Sequence, residues 1–170
     1  MKFKKIQLKK THSTNDFAIK NIKNNNIEPT VISSHTQFKG RGQYGKLWIS
    51  LKGNLFMSIY FRVKKNLPLK KTTKINCLIV RKAINKIIKK KILIKPPNDL
   101  LIDKKKICGI LQETLIHNNN KYLIVGIGVN IVKNPFIRNY LTGNLKEYTQ
   151  KKAIKLRLYN LIIKGFEKKY

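Results

Sequence analysis

The chain has 170 residues, 38 of them Lys or Arg against 7 Asp or Glu, giving a formal charge of +31. This length supports one hydrophobic core, and 42% hydrophobic residues exclude a chain held disordered by its charge. Two cysteines, Cys77 and Cys108, exclude a disulfide framework or a four-thiolate zinc site; no apolar run approaches the ~20 residues of a membrane span or forms a signal peptide, so a cytoplasmic protein is expected.

A strand is expected over residues 2–8. Ser13 with Asp16 three residues on has capping-box spacing, and Phe17, Ala18 and Ile22 then share a helical face that Asn24-Asn25-Asn26 ends. A strand over 31–35 precedes a glycine-rich loop over 37–45. Residues 55–63 alternate, with Leu55, Met57, Ile59, Phe61 and Val63 on one face and Asn54, Ser58 and Arg62 on the other. The longest helix is expected to be capped by Thr72 or Thr73, with Ile75, Leu78, Ile79, Ala83 and Ile87 as its stripe. Lys74, Arg81, Lys82, Lys86 and Lys89 form its solvated face. Residues 92–94 read as a buried strand broken by Pro96-Pro97. Strands over 100–102, 109–115 and 122–129 follow, the last two joined in a hairpin by His117-Asn118-Asn119-Asn120. A final helix, roughly 151–168, carries Ile154, Leu158, Leu161, Ile162 and Phe166 at helical spacing. With no repeat and no dividing linker, residues 1–170 form one domain of α+β class with a mixed sheet.

The charge alone does not identify a nucleic-acid binder. There are 33 Lys and only 5 Arg, dispersed along the chain, and uncharged Ile and Asn are enriched alongside them. Such a bias follows from an A- and T-rich coding sequence and places most lysines on solvated faces. A basic nucleic-acid-binding domain stays open as a reading from another class; it predicts clustered cations among exposed aromatics.

Gly40-Arg41-Gly42-Gln43-Tyr44-Gly45 matches the dinucleotide fingerprint in letters, but no helical stripe follows it, so no helix N-terminus can meet a pyrophosphate. The loop is a plain turn, or a place where backbone N–H groups and a guanidinium approach an anion together, with Trp48 as a flat apolar surface beyond. Lys95-Pro96-Pro97-Asn98-Asp99-Leu100 places one of only seven acidic residues at a strand entrance, seven positions before Lys106. Cys108 reads as a small core residue, and His12, His35 and His117 lack metal-ligand spacing. Gly126-Ile127-Gly128-Val129-Asn130 marks close approach to a strand, by a ligand or by another segment of chain.

In order and spacing, Ser13-Thr14-Asn15, Gln37 with Gly40-Arg41-Gly42, Gly45 and Trp48, Lys95 with Pro97-Asn98-Asp99-Leu100, Lys106 with Gly109-Ile110-Leu111, and Gly126, Gly128 and Asn130 resemble the catalytic domain of biotin–protein ligases. The likeness spans about residues 5–165, and Thr142-Gly143-Asn144-Leu145 is similar to a stretch before the family's last helix. The resemblance implies a mainly antiparallel sheet, and ATP-dependent ligation of biotin to a carrier-protein lysine through biotinyl-5′-adenylate, with Mg²⁺ on the triphosphate. It implies catalytic roles for Lys106, Arg41 and Asp99. It implies biotin contacts from Ser13, Thr14, Asn15, Gln37, Arg41, Gly42, Gln43, Lys106 and Gly109, and ATP contacts from Gly40, Gly45, Trp48, Asn98, Lys106 and Asn130. No residues are assigned to a metal.

The implied partner is the biotin carboxyl carrier domain of acetyl-CoA carboxylase, with no specific DNA binding and no membrane, and with a homodimer as one available assembly. Neither an N-terminal helix-turn-helix domain nor a C-terminal β-barrel is expected. Three departures stand out: Gln43 and Lys46 replace the family's usual arginines, and Pro96 replaces a tryptophan. A lipoate- or octanoate-transferring ligase is the nearest alternative.

Overall fold

The computed structural model describes residues 1–64 and 66–170. Among these, seven strands alternate with three α-helices: β1 (Lys4–Thr11), α1 (Thr14–Lys23), β2 (Thr30–Gln37), β3 (Leu55–Val63), α2 (Leu69–Asn85), β4 (Leu93–Lys95), β5 (Asp99–Ile102), β6 (Lys105–His117), β7 (Asn120–Val129) and α3 (Ile154–Lys169). The strands form one sheet in the order β1-β2-β3-β7-β6-β5-β4. Only β1 and β2 pair in parallel, because α1 provides the crossover between them; every other pair is antiparallel.

Strand alternation divides the core into two layers. Leu55, Met57, Ile59 and Phe61 of β3 join Leu123, Val125, Ile127 and Val129 of β7 under α2 and α3. On the opposite face Ile32, Tyr60, Tyr122 and Ile124 pack against Ala18 and Ile22 of α1. The β3 residues expected on a polar face are therefore buried as well, with Ser58 inaccessible and Arg62 alone exposed beyond them. The short α1 covers only part of its face, and the uncovered remainder of that face holds the candidate site.

Both tight hairpins have the backbone their sequences demand. Asn118 and Asn119 take φ of 46° and 58° between β6 and β7, and Asp103 and Lys104 take 48° and 63° between β5 and β6. Asn and Asp tolerate this left-handed region through local side-chain bonding, and it matches the strand twist of two-residue turns.

Several sequence expectations shift. The α2 helix begins at Leu69, not at a threonine cap; Thr72 and Thr73 lie inside it and donate back to the carbonyls of Pro68 and Leu69 at 2.9 and 3.0 Å. Its buried stripe is Cys77, Val80, Ala83 and Ile84, continued by Ile87 just past the helix end, with Ile75, Leu78 and Ile79 only partly covered. The stripe is rotated because Asn76 is buried: its amide donates to Gln112 Oε1 at 2.7 Å and its oxygen accepts from Tyr170 Oη at 2.8 Å. Strand β4 is an edge, with Leu93 half exposed, so residues 92–94 are not a buried strand, although Ile92 itself is in the core. Strand β6 starts at Lys105, four residues before the expected position. The expected capping box at Ser13 is absent: Ser13 is the N-cap residue by backbone geometry but its hydroxyl makes no cap bond, and Asp16 points to Arg41.

Candidate active site

A cleft of about 350 Å³ opens on the sheet face beside α1. Its floor is a patch of glycines. Gly109 of β6 and Gly128 of β7 are cross-strand partners, and Gly126 follows on the same face of β7. A methyl carbon at Gly128 would lie 2.5 Å from the indole of Trp48, and one at Gly109 would lie 2.8 Å from it. At Gly126 it would collide with the Asn15 amide. Each glycine thus lets a site side chain lie directly on the strands.

Lys106 reaches this face through a β-bulge. The pairing of β5 with β6 slips between Leu100 and Leu101, so that Leu100 faces Cys108 while Leu101 faces Lys106. Consecutive residues Ile107 and Cys108 are then both in the helix-side core, and Lys106, which strict alternation would place with Cys108, turns to the cleft. Its backbone is fixed on both sides, its N–H donating to Leu141 O at 2.9 Å and its carbonyl accepting from Gly143 N at 3.0 Å. Its ammonium lies 2.9 Å from Asp99 Oδ1 and between two rings, 5.6 Å from Trp48 and 5.4 Å from Tyr140. Such a seat favours a desolvated cation with a fixed position.

The glycine-rich loop folds over this floor. Trp48 N donates to Gly40 O at 2.8 Å and Gly42 N to Lys46 O at 2.7 Å, closing the turn that carries Arg41, Gln43 and Tyr44. Arg41 Nη2 donates to Glu113 Oε2 at 2.7 Å, while its Nε lies 2.8 Å from Asp16 Oδ1 without hydrogen-bond alignment. At the other end of the cleft the start of α1 meets the end of β2. Gln37 Oε1 accepts from Thr14 N at 2.8 Å, and Ser58 Oγ contacts Thr14 Oγ1 at 2.7 Å and Asn15 Oδ1 at 2.5 Å.

Most residues named from the sequence line this one cleft: Ser13, Thr14, Asn15 and Gln37 at one end, Arg41, Gly42, Gln43 and Trp48 in the loop, and Asn98, Asp99, Lys106 and Gly109 along the strands. Asn98 also extends the ladder, its amide donating to Ile110 O at 2.7 Å. Gly40, Gly45 and Asn130 do not line it. Gly40 lies against Trp48 O, Gly45 holds a left-handed turn at φ 73°, and Asn130 is buried below the floor with its amide on Gly143 O at 3.1 Å. Residues that sequence reading missed are Glu113, Ser58 and Tyr140. The scarcity of carboxylates was the available signal for the first.

Among the described residues, buried side-chain polar atoms without a hydrogen-bond partner are few, and three of them lie at this cleft: Trp48 Nε1, and Arg41 Nε and Asp99 Oδ1, which have only an ion-pair neighbour. Unsatisfied groups gathered at one cleft mark a place built to be completed by a ligand. Cys108 takes no part: burial pushes its thiol well above the usual range. Burial, and then the Asp99 charge, pushes Cys77 up to about 11. No group of three or more His, Cys, Asp or Glu among the described residues could hold a metal ion.

Similarity to known proteins follows the same residues. The chain is 34% identical over 128 residues to the bifunctional ligase/repressor BirA of Bacillus subtilis, covering 72% of this chain and 39% of that protein. It spans about half or less of the length of the first curated relatives it matches. A biotin protein ligase from Aquifex aeolicus, solved in complex with biotin and ATP, superimposes with a TM-score of 0.77 at 27% identity, over 99% of this chain and 72% of that one. One from Leishmania major, in complex with biotinyl-5-AMP, shares the fold with a TM-score of 0.79 at 23% identity, over 98% and 76% of the two chains. Residues 7–130, which hold every strand and loop of the cleft except the 140–143 segment, match the profile of the Biotin/lipoate A/B protein ligase family, and the chain belongs to that family.

Proposed function

We propose that the chain joins biotin to a lysine of a biotin carboxyl carrier domain in two steps, through biotinyl-5′-adenylate. The observation that carries this reading is the convergence of Arg41 and Lys106, each on its own carboxylate, over a glycine floor lined at one end by Thr14, Asn15 and Gln37. Relatives solved with biotin and ATP or with biotinyl-5-AMP supply the ligands that suit such a cleft.

In the first step a biotin carboxylate oxygen attacks the α-phosphorus of ATP and pyrophosphate leaves. Two anions must be brought together, so fixed cations and excluded water do most of the work. Arg41 and Lys106 would hold the carboxylate and the α-phosphate. Thr14, Asn15 and Gln37 would meet the ureido ring, which needs a few placed donors and acceptors in a pocket otherwise apolar. Trp48 would bracket the adenine from the glycine floor, with Asn130 beneath. Mg²⁺ would arrive on the phosphates of ATP as part of that substrate, which suits a cleft whose carboxylates are already paired with cations.

In the second step the carrier lysine attacks the acyl carbon and AMP leaves. Only about 1 in 2,500 such amines is neutral at pH 7, so a carboxylate that takes or steers the proton accelerates transfer. Asp99 would fill that role from beside the Lys106 ammonium, 2.9 Å from its Oδ1.

The test is incubation of the protein with ATP and a purified carrier domain, supplying labelled biotin or labelled lipoate. Streptavidin-detected carrier labelling that disappears in Lys106→Ala is the expected result. Lipoyl transfer in place of biotinyl transfer, or neither, overturns the proposal.

A further inference from the structure

We propose that Glu113 is the positioning residue of this cleft: one carboxylate oxygen, Oε2, holds Asn15 at the ring end and Arg41 at the carboxylate end at once. The inference rests on the biotin-ligase reading above and assigns a residue that its motifs do not include.

The geometry is specific. Asn15 Nδ2 and Arg41 Nη2 each donate to Glu113 Oε2 at 2.7 Å. Asn15 is buried and pressed on Gly126, and its oxygen accepts from Ser58 Oγ. Ser58 has a single proton, which the Asn15 oxygen takes, while the Thr14 hydroxyl stands 2.7 Å from Ser58 Oγ and 3.1 Å from Gln37 Oε1 with one proton to share between them. A one-way chain of donors therefore runs from Ser58 through Asn15 to Glu113, where it meets Arg41 coming from the loop. The carboxylate fixes which way the Asn15 amide faces, because only the NH₂ group can donate to it. It also ties the loop to β6, in register with Ile124 of β7, so both ends of the ligand site are referenced to the rigid sheet.

Asp16 also neighbours Arg41 but lacks these properties. It sits in the first turn of α1 with a side chain 46% exposed, against 26% for Glu113, and its contact with Nε is not aligned for a hydrogen bond. An exposed, unaligned ion pair contributes little. Glu113 accepts two well-placed bonds, one of them charge-assisted.

The experiment is a double-mutant cycle on biotin affinity by calorimetry, with KM values for biotin and ATP measured from pyrophosphate release. Glu113→Gln is expected to weaken biotin binding about tenfold, as befits a lost charge-assisted bond, with the KM for ATP within about twofold of wild type. In an Arg41→Ala background the same change should cost less than about threefold, because the residue acts through Arg41. Asp16→Asn should stay within about twofold of wild type. Additive effects of Glu113→Gln and Arg41→Ala, or an Asp16→Asn defect equal to that of Glu113→Gln, overturn the assignment; thermal melts of each variant separate these from loss of folding. A wild-type protein that binds no biotin would overturn the ligase reading, and the inference with it.

Discussion

Asp16, Asp99 and Glu113 are three of only seven acidic residues in a chain of net charge +31, and all three lie against the two cations of the cleft. A fourth, Glu147, holds Lys105 at 2.8 Å and raises that lysine's pKa by hydrogen bond and charge. Asp99 was legible because two prolines and an asparagine set it apart, whereas Glu113 sits in a long strand two residues beyond the motif that ends at Leu111. At this scale Asp99→Asn should slow transfer to the carrier more than adenylate formation, although loss of the Lys106 contact lowers both. Rates with ATP plus biotin, set against rates with added biotinyl-adenylate, measure the split; a defect confined to adenylate formation would reverse the role given to Asp99. Gln43 lines the cleft at a position where the sequence resemblance implies an arginine, and on that reading one cation fewer retains an acyl phosphate. Wild type is therefore expected to leak adenylate and label lysines of an unrelated protein, and Gln43→Arg to reduce that labelling by about threefold or more. Equal labelling by the two proteins would remove retention as the function of that position.

At the scale of elements, the hairpin of β6 and β7, the first helix and the last helix were readable from turn residues and periodicity. The bulge at Ile107 was not, because alternation alone predicts the wrong face for Lys106 and only the pairing partner, Leu100 or Leu101, reveals the extra residue. The α2 stripe was misplaced for a related reason. Apolar counting skips Thr72 and Asn76, both buried, because their hydrogen bonds satisfy them. The segment after β7 depends on another buried polar residue. Asn54 accepts from the backbone N–H of Ile131, Val132 and Lys133 at 2.9, 3.0 and 3.3 Å and donates to Lys133 O at 2.7 Å. Asn54→Ala strands these groups and is expected to cost about 3 kcal/mol in stability, read from the urea midpoint. A shift under about 0.5 kcal/mol would mean that water replaces the side chain.

Over the whole molecule, the order of five motifs carried the fold further than any single element did, since a sheet of this topology must bring chain segments 13–15, 37–48, 95–109 and 126–130 to one face. The mixed, mainly antiparallel sheet is the one expected. No helix among the described residues is long and apolar enough to cross a membrane. The charge reads differently once the cleft is known. Lys46, Lys95 and Lys104 line its mouth, and such a rim would attract an acidic carrier. Raising the salt from about 20 mM to 500 mM should slow carrier labelling by about tenfold while leaving pyrophosphate release nearly unchanged. Parallel loss of both would place the salt effect on the small substrates. Tight, salt-sensitive binding of nucleic acid without ligation would favour the other reading of the charge.

Trp48 is the only tryptophan in the chain, and its indole lies on the two cross-strand glycines with an ammonium 5.6 Å away. The protein thus carries one indole fluorophore, placed where its emission depends on what occupies the cleft. A nucleotide stacking on that ring should quench it, so an unlabelled titration with ATP yields an affinity without any enzymatic assay. Gly128→Ala, which lifts the indole from the sheet, should shift the emission of the free protein to the red and abolish the nucleotide response. An unchanged spectrum in that variant would mean that the ring does not rest on the glycines in solution.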